Sequence, residues 1–171
     1  MKKKILNPFA MLCFGLLIGL ISRLLDIYTT NLGEVFSQAA IWILFGTMIS
    51  IYSKTAKKAM LNVLTFCLGM LFTYYLTAAL SHGVYSIEYI IGWTVFALCS
   101  PVMAFFAWYA KESGLFPRIV SVGIISVSVL SSIILFDRLR IYDIVINGAL
   151  FYFFFSKKLT DRPKYCLKPS N

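Results

Sequence analysis

Polar positions along this chain are sparse and clustered. Between them stand six apolar runs: Pro8–Leu25, Leu32–Tyr52, Ala59–Ser81, Ile87–Ala110, Pro117–Phe136 and Ile141–Phe155. Most approach the ~20 residues that carry a helix across a ~30 Å hydrocarbon layer. In lipid only helices and closed barrels satisfy every backbone group. Barrel strands would alternate apolar with polar over ~10 residues, whereas these runs are solidly apolar. The pattern predicts an all-α polytopic membrane protein with six transmembrane helices in one bundle. The sixth run, at 1.5 Å per residue, rises only ~22 Å. It must thin the membrane, or let Lys157 and Lys158 snorkel while the helix continues to Leu159.

The connections, roughly Asp26–Asn31, Ser53–Lys58, His82–Ser86, Lys111–Phe116 and Asp137–Arg140, are too short for a soluble domain. Consecutive runs joined so tightly predict antiparallel neighbours. Residues 1–158 read as one transmembrane domain and 159–171 as a basic cytoplasmic tail lying against anionic lipid. Pro101, inside the fourth run, predicts a kink. The N-terminal "MKKKILNPFAMLCFGLLIGLIS" imitates a signal peptide, but no A-x-A site follows, so it reads as a retained first span.

Charge sets the expected orientation. With six crossings both termini share a side. If that side is the cytoplasm, it holds Lys2, Lys3, Lys4, Lys54, Lys57, Lys58, Lys111, Arg118, Lys157, Lys158, Arg162, Lys164 and Lys168. Only Arg23, Arg138 and Arg140 fall outside. The positive-inside rule then gives a multi-pass membrane protein with both termini cytoplasmic. Composition agrees: 60% hydrophobic and 13% charged residues, with a mean hydropathy of +0.82, do not suit a soluble domain, which carries about 25% charge. The net charge of +9 follows from topology and does not call for nucleic acid. No cofactor is expected. Cys13, Cys67, Cys99 and Cys166 form no C-x-x-C and none lies in an outer loop, so neither zinc nor a disulfide is expected.

The polar residues that remain gather at one level. At 100° per residue, Gly15, Gly19, Ser22, Arg23 and Asp26 share one stripe of the first run. Gly15 and Gly19 form a small-xxx-small contact for a close helix, either within the bundle or on a partner membrane protein. Arg23 and Asp26 rise from that stripe and can pair with each other or reach headgroups. Glu34 and Gln38 open the second run, Tyr74 and Thr77 close the third, Glu88 begins the fourth, and Arg140, Asp143 and Asn147 surround the start of the sixth. A charge in lipid costs ~3 kcal/mol or more, so such groups face protein or water. Together they predict an outward-facing polar pocket, with Arg23, Asp26, Glu34, Gln38, Tyr74, Thr77, Glu88, Arg140, Asp143 and Asn147 as its candidate lining. Asp143 is expected to pair with Arg23 or Arg140, or to hold a ligand with Asn147. The serines of the fifth run, among them Ser128 and Ser132, read as a packing surface.

Two stretches, "FTYYLTAAL" (Phe72–Leu80) and "GWTVFALCSPVMAFFAWYA" (Gly92–Ala110), with "GLLIGLIS" in the first run, resemble a family of small bacterial integral membrane proteins whose domain has no assigned function. The resemblance implies a fold family and little chemistry. Size, span number and an outward pocket are also similar, in architecture alone, to the substrate-binding S components of energy-coupling-factor transporters.

An enzyme is not expected. His82 is the single histidine, and neither G-x-S-x-G nor H-E-x-x-H occurs. A channel would need polar groups through the full depth, and the inner halves of the runs read as apolar. Two readings remain. One is a small-molecule binding or transport component, in which Asp143 and Asn147 line a solvent-accessible cavity. The other is a non-catalytic accessory, assembly or immunity protein, in which those groups are paired internally and an apolar groove faces lipid. Membrane lipids are the partners common to both.

Overall fold

The computed structural model describes residues 6–29, 39–81, 87–112, 114–136 and 140–155. They form six helices: α1 (Pro8–Tyr28), α2 (Ala39–Tyr52), α3 (Ala56–Leu80), α4 (Ile87–Tyr109), α5 (Leu115–Phe136) and α6 (Ile141–Phe155). α1, α3, α4 and α5 are long and apolar enough to cross a membrane; α2 and α6 are shorter apolar helices. α1 runs past the expected end at Leu25 because Arg23 and Asp26, at i and i+3, neutralise each other on one helical face at 2.7 Å. α3 begins before Ala59 because Thr55 caps it, accepting from the Lys58 amide at 3.3 Å. The beginning of the second run, Glu34 and Gln38 included, and the whole 159–171 tail lie outside the described residues.

α4 is continuous through Pro101. Proline cannot donate to the carbonyl four residues back, which leaves Ala97 without its helical partner. Ser100 replaces the lost donor, giving its hydroxyl to the Ala97 oxygen at 2.7 Å. Sequence thus supplies the break and, one residue earlier, its repair.

The helices run alternately between two common ends. At one end the termini of α2, α4 and α6 meet the start of α5, in a cluster of Ile51, Ala110, Leu150 and Phe154 with Val120 and Ile124 against it. The start of α3 joins them: Asn62 Nδ2 donates to Ser53 Oγ at 3.1 Å, and Trp108 Nε1 donates to the Ser53 carbonyl at 3.2 Å. At the opposite end Tyr74 of α3 reaches Asp26 of α1, and α5 meets the start of α6. The central core is aromatic. Phe66 of α3, with no exposed surface, is ringed by Phe14, Phe45 and Trp42 at 5.5–6.4 Å between centroids.

α1 packs along α3 at backbone distance. A Cβ on Gly15 would stand 2.2 Å from the Phe66 carbonyl oxygen, and one on Gly19 2.2 Å from that of Met70. From the other side, a Cβ on Gly69 would meet the Leu12 oxygen at 2.8 Å. Across this seam Thr73 Oγ1 donates to the Leu16 carbonyl at 2.8 Å. The helix expected against the glycine stripe is therefore α3 of the same chain. The open face of α1 carries Leu17, Leu20, Leu24 and Ile27.

Burial is inverted relative to a soluble fold. Ser22, Thr47, Ser50, Asn62, Ser100, Ser128, Ser132 and Asp143 are buried, whereas Phe72, Leu98, Ile119, Ile134, Val145 and Phe151 are exposed. A soluble surface avoids a continuous apolar belt of this kind; hydrocarbon requires one. Asn62, fully buried near the Ser53 end, corrects the expectation that this half of the spans is apolar.

Candidate functional site

The polar residues gather at the Asp26–Asp143 end, and the described ones separate onto two helix pairs. On α1 and α3, Asp26 Oδ2 receives the Arg23 guanidinium at 2.7 Å and the Tyr74 hydroxyl at 3.2 Å. The Arg23 guanidinium also lies over the Tyr74 ring, 5.6 Å from its centroid. Helical geometry explains the set. Arg23 and Asp26 share the stripe of Gly15 and Gly19, and the close glycine seam brings Tyr74 within reach of both. The Arg23 side chain is 11% exposed and that of Asp26 32%. A pair with a partly exposed partner within one helix is worth under ~1 kcal/mol, and the tie to α3 is the Tyr74 hydroxyl bond to Asp26.

On α5 and α6 the arrangement is drier. Asp143 has no exposed surface. Its Oδ1 accepts from the Ser132 hydroxyl at 3.0 Å and its Oδ2 from the Arg140 backbone N–H at 2.9 Å. Arg140 is the residue before α6 and Asp143 its third, so the second bond is the acidic half of a capping box. The anion also sits at the positive end of the α6 dipole. Asn147, one turn on, donates Nδ2 to the Asp143 carbonyl at 2.8 Å. The Arg140 guanidinium donates to the Tyr142 hydroxyl and lies over its ring. The expected cross-bundle pairing of Asp143 with Arg23 is not the one found. Arg23 is taken by Asp26 on α1, and the part of Arg140 that meets Asp143 is its backbone. Among the described residues no lysine or arginine side chain is within salt-bridge distance of Asp143.

The remaining candidates are dispersed. Thr77 is half-buried on α3, Glu88 is exposed in the first turn of α4, and Glu34 and Gln38 lie outside the described residues. Among the described residues, Arg23, Asp26 and Tyr74 form one group, and Arg140, Asp143 and Asn147 another. Ser132 was expected only as packing surface, and nothing in its spacing distinguishes it from Ser128 or Ser131. Its i+11 partner appears once the α5–α6 turn is folded. Ser53, Asn62 and Trp108 form a third polar knot at the other end, which a lone asparagine in an apolar run could have signalled.

The described structure also holds a recess of about 770 Å³ lined by Leu12, Leu16, Leu68, Gly69, Leu71, Phe72, Tyr75, Leu76 and Thr94. It lies where α1 and α4 flank α3 and is almost wholly apolar. No group of three His, Cys, Asp or Glu suited to a metal ion occurs among the described residues.

The model of a family of unknown function, DUF6518, matches residues 2–137. That span contains α1 to α5 and stops short of Asp143. No curated protein and no solved structure matches the chain.

Proposed function

The chain belongs to the DUF6518 family, and from that premise we propose that it is a six-pass membrane protein with both termini cytoplasmic, acting without catalysis by packing against a transmembrane helix of a partner membrane protein. Orientation follows from charge. Lys54, Lys57, Lys58, Lys111 and Arg118 lie at the Ser53 end, whereas Asp26, Glu88 and Asp143 lie at the other.

One contrast carries the reading: the buried acid is closed to solvent and held by neighbours inside the bundle, and the large recess is apolar and faces sideways. A binding or transport component needs Asp143 and Asn147 to line a wet cavity. Asp143 is closed to solvent and held by Ser132 and Arg140. The recess on α1, α3 and α4 instead offers mainly leucine side chains, with Tyr75 and Thr94 among its lining residues, the Thr94 hydroxyl donating to the Ile90 carbonyl at 2.7 Å. A partner helix can pack its side chains into such a recess, and close packing drives helix association in lipid.

A photo-crosslinking residue at Phe72, in the recess, is compared with one at Val145, exposed on α6. A discrete membrane-protein adduct is expected at Phe72, lost when Thr94→Trp fills the recess, with lipid adducts at Val145. Lipid adducts alone at both positions would contradict the proposal.

A further inference from the structure

The α5–α6 seam contains more polar atoms than its protein partners satisfy. Ser128 precedes Ser132 by four residues, and Asn147 follows Asp143 by four. The two helices are antiparallel and joined by the Ser132–Asp143 hydrogen bond. Ser128 and Asn147 therefore both lie one turn deeper, on the facing sides of the seam. Ser128 has no exposed surface, and its Oγ has no hydrogen-bond partner. The Oδ1 of Asn147 is buried and equally unmatched, while its Nδ2 is held by the Asp143 carbonyl. The Asp143 carboxylate accepts two donors, where it has room for about four.

Among the described residues the unmatched atoms of this seam are a hydroxyl and an amide oxygen, one turn from a carboxylate with room for further partners. The amide oxygen only accepts, so it excludes an anion. These are hard oxygen donors, which prefer hard cations over soft metals. The charge selects valence. Among the described residues Asp143 is the single carboxylate of the set, and its two donors are neutral, the nearby Arg140 guanidinium donating to Tyr142. A singly charged ion neutralises it, whereas a divalent ion would leave a net charge buried and would call for more carboxylates. We propose that this turn binds a monovalent hard cation of the sodium class, coordinated by Ser128 Oγ, Asn147 Oδ1 and the Asp143 carboxylate. The ion fastens the short α6 to α5 near the membrane surface. The assignment is independent of the partner-helix reading.

The purified full chain in detergent tests it with sodium chloride as the probe, against choline chloride at equal ionic strength. The melting temperature should rise saturably with sodium and not with choline. Ser128→Ala removes one oxygen and should raise the half-saturating sodium concentration roughly tenfold, the effect of losing one good contact. Asp143→Asn should abolish the response, and Gly92→Ala on α4 should keep it. Equal melting curves in the two salts would overturn the proposal. So would a wild-type sodium response in Ser128→Ala, which decides the matter even if Asp143→Asn does not fold.

Discussion

Gly15→Ala places a methyl group where a carbonyl oxygen already stands. The new Cβ would lie 2.2 Å from the Phe66 oxygen and 3.1 Å from the Met70 nitrogen, both backbone atoms that no rotamer change can move. Ordinary contact needs about 3.4 Å, so α1 must withdraw by roughly 1 Å. A gap of that size forfeits a quarter to a half of each dispersion contact, at ~0.1–0.2 kcal/mol apiece, over several dozen atom pairs. That loss is ~2–3 kcal/mol. Stretching the Thr73–Leu16 hydrogen bond adds ~0.6 kcal/mol, the average value between membrane helices. Replacing glycine in a helix returns ~1 kcal/mol, so the net destabilisation is ~2 kcal/mol. Gly19→Ala should behave alike, since its Cβ would meet the Met70 oxygen and Thr73 Oγ1. Gly92, with nothing within 4 Å of its Cβ position, provides the control. Gly92→Ala should be neutral or stabilising by up to ~1 kcal/mol. Unfolding free energies of the purified variants, by denaturing-detergent titration, should separate the seam glycines from Gly92 by ~2–3 kcal/mol. Equal stability of all three variants would refute the backbone contact between α1 and α3.

Three further sets of substitutions probe the polar contacts. Tyr74→Phe and Asp26→Asn, alone and together, should show a coupling of ~0.5–1 kcal/mol in a double-mutant cycle, and strict additivity would mean that the hydroxyl does not bond the carboxylate. Ser132→Ala should cost ~1–3 kcal/mol by leaving one oxygen of a buried carboxylate unmatched, and a loss below ~0.5 kcal/mol in the same titration would dissolve the α5–α6 tie. Ser100→Ala should destabilise by a similar ~1–3 kcal/mol through the orphaned Ala97 carbonyl. In a Pro101→Ala background, where the backbone donor returns, the same change should be nearly silent.

The helices were legible because hydrocarbon allows few backbone solutions. α6 begins at Ile141, where its apolar run begins, and the other described helices end within a few residues of their runs. Departures occur where polar residues sit inside a helix. Arg23 and Asp26 mask the last turn of α1, and Lys57 and Lys58 mask the first of α3. The Gly15–Gly19 stripe announced a close neighbour. Which helix it meets depends on Gly69, more than fifty residues away, and no local pattern encodes that distance. The polar residues of the outer level were visible as a level but not as partners. A carboxylate on an apolar helix needs donors, and the nearest were a serine of the preceding helix and a backbone amide, both invisible to a search for opposite charges. A single outward pocket was therefore expected where the described residues form two separate groups. Asn62 was missed because one amide barely alters the hydropathy of the run that contains it.

Orientation and span number underlie everything proposed for this chain, and cysteine accessibility in intact cells measures both. With Cys13, Cys67 and Cys99 replaced by alanine, Glu88→Cys should react with an impermeant maleimide added outside. Lys57→Cys and the native Cys166 should react only after the membrane is permeabilised. Labelling of Glu88→Cys alone from outside is the result predicted for six crossings with both termini cytoplasmic. Labelling of Lys57→Cys or Cys166 in unbroken cells would contradict it.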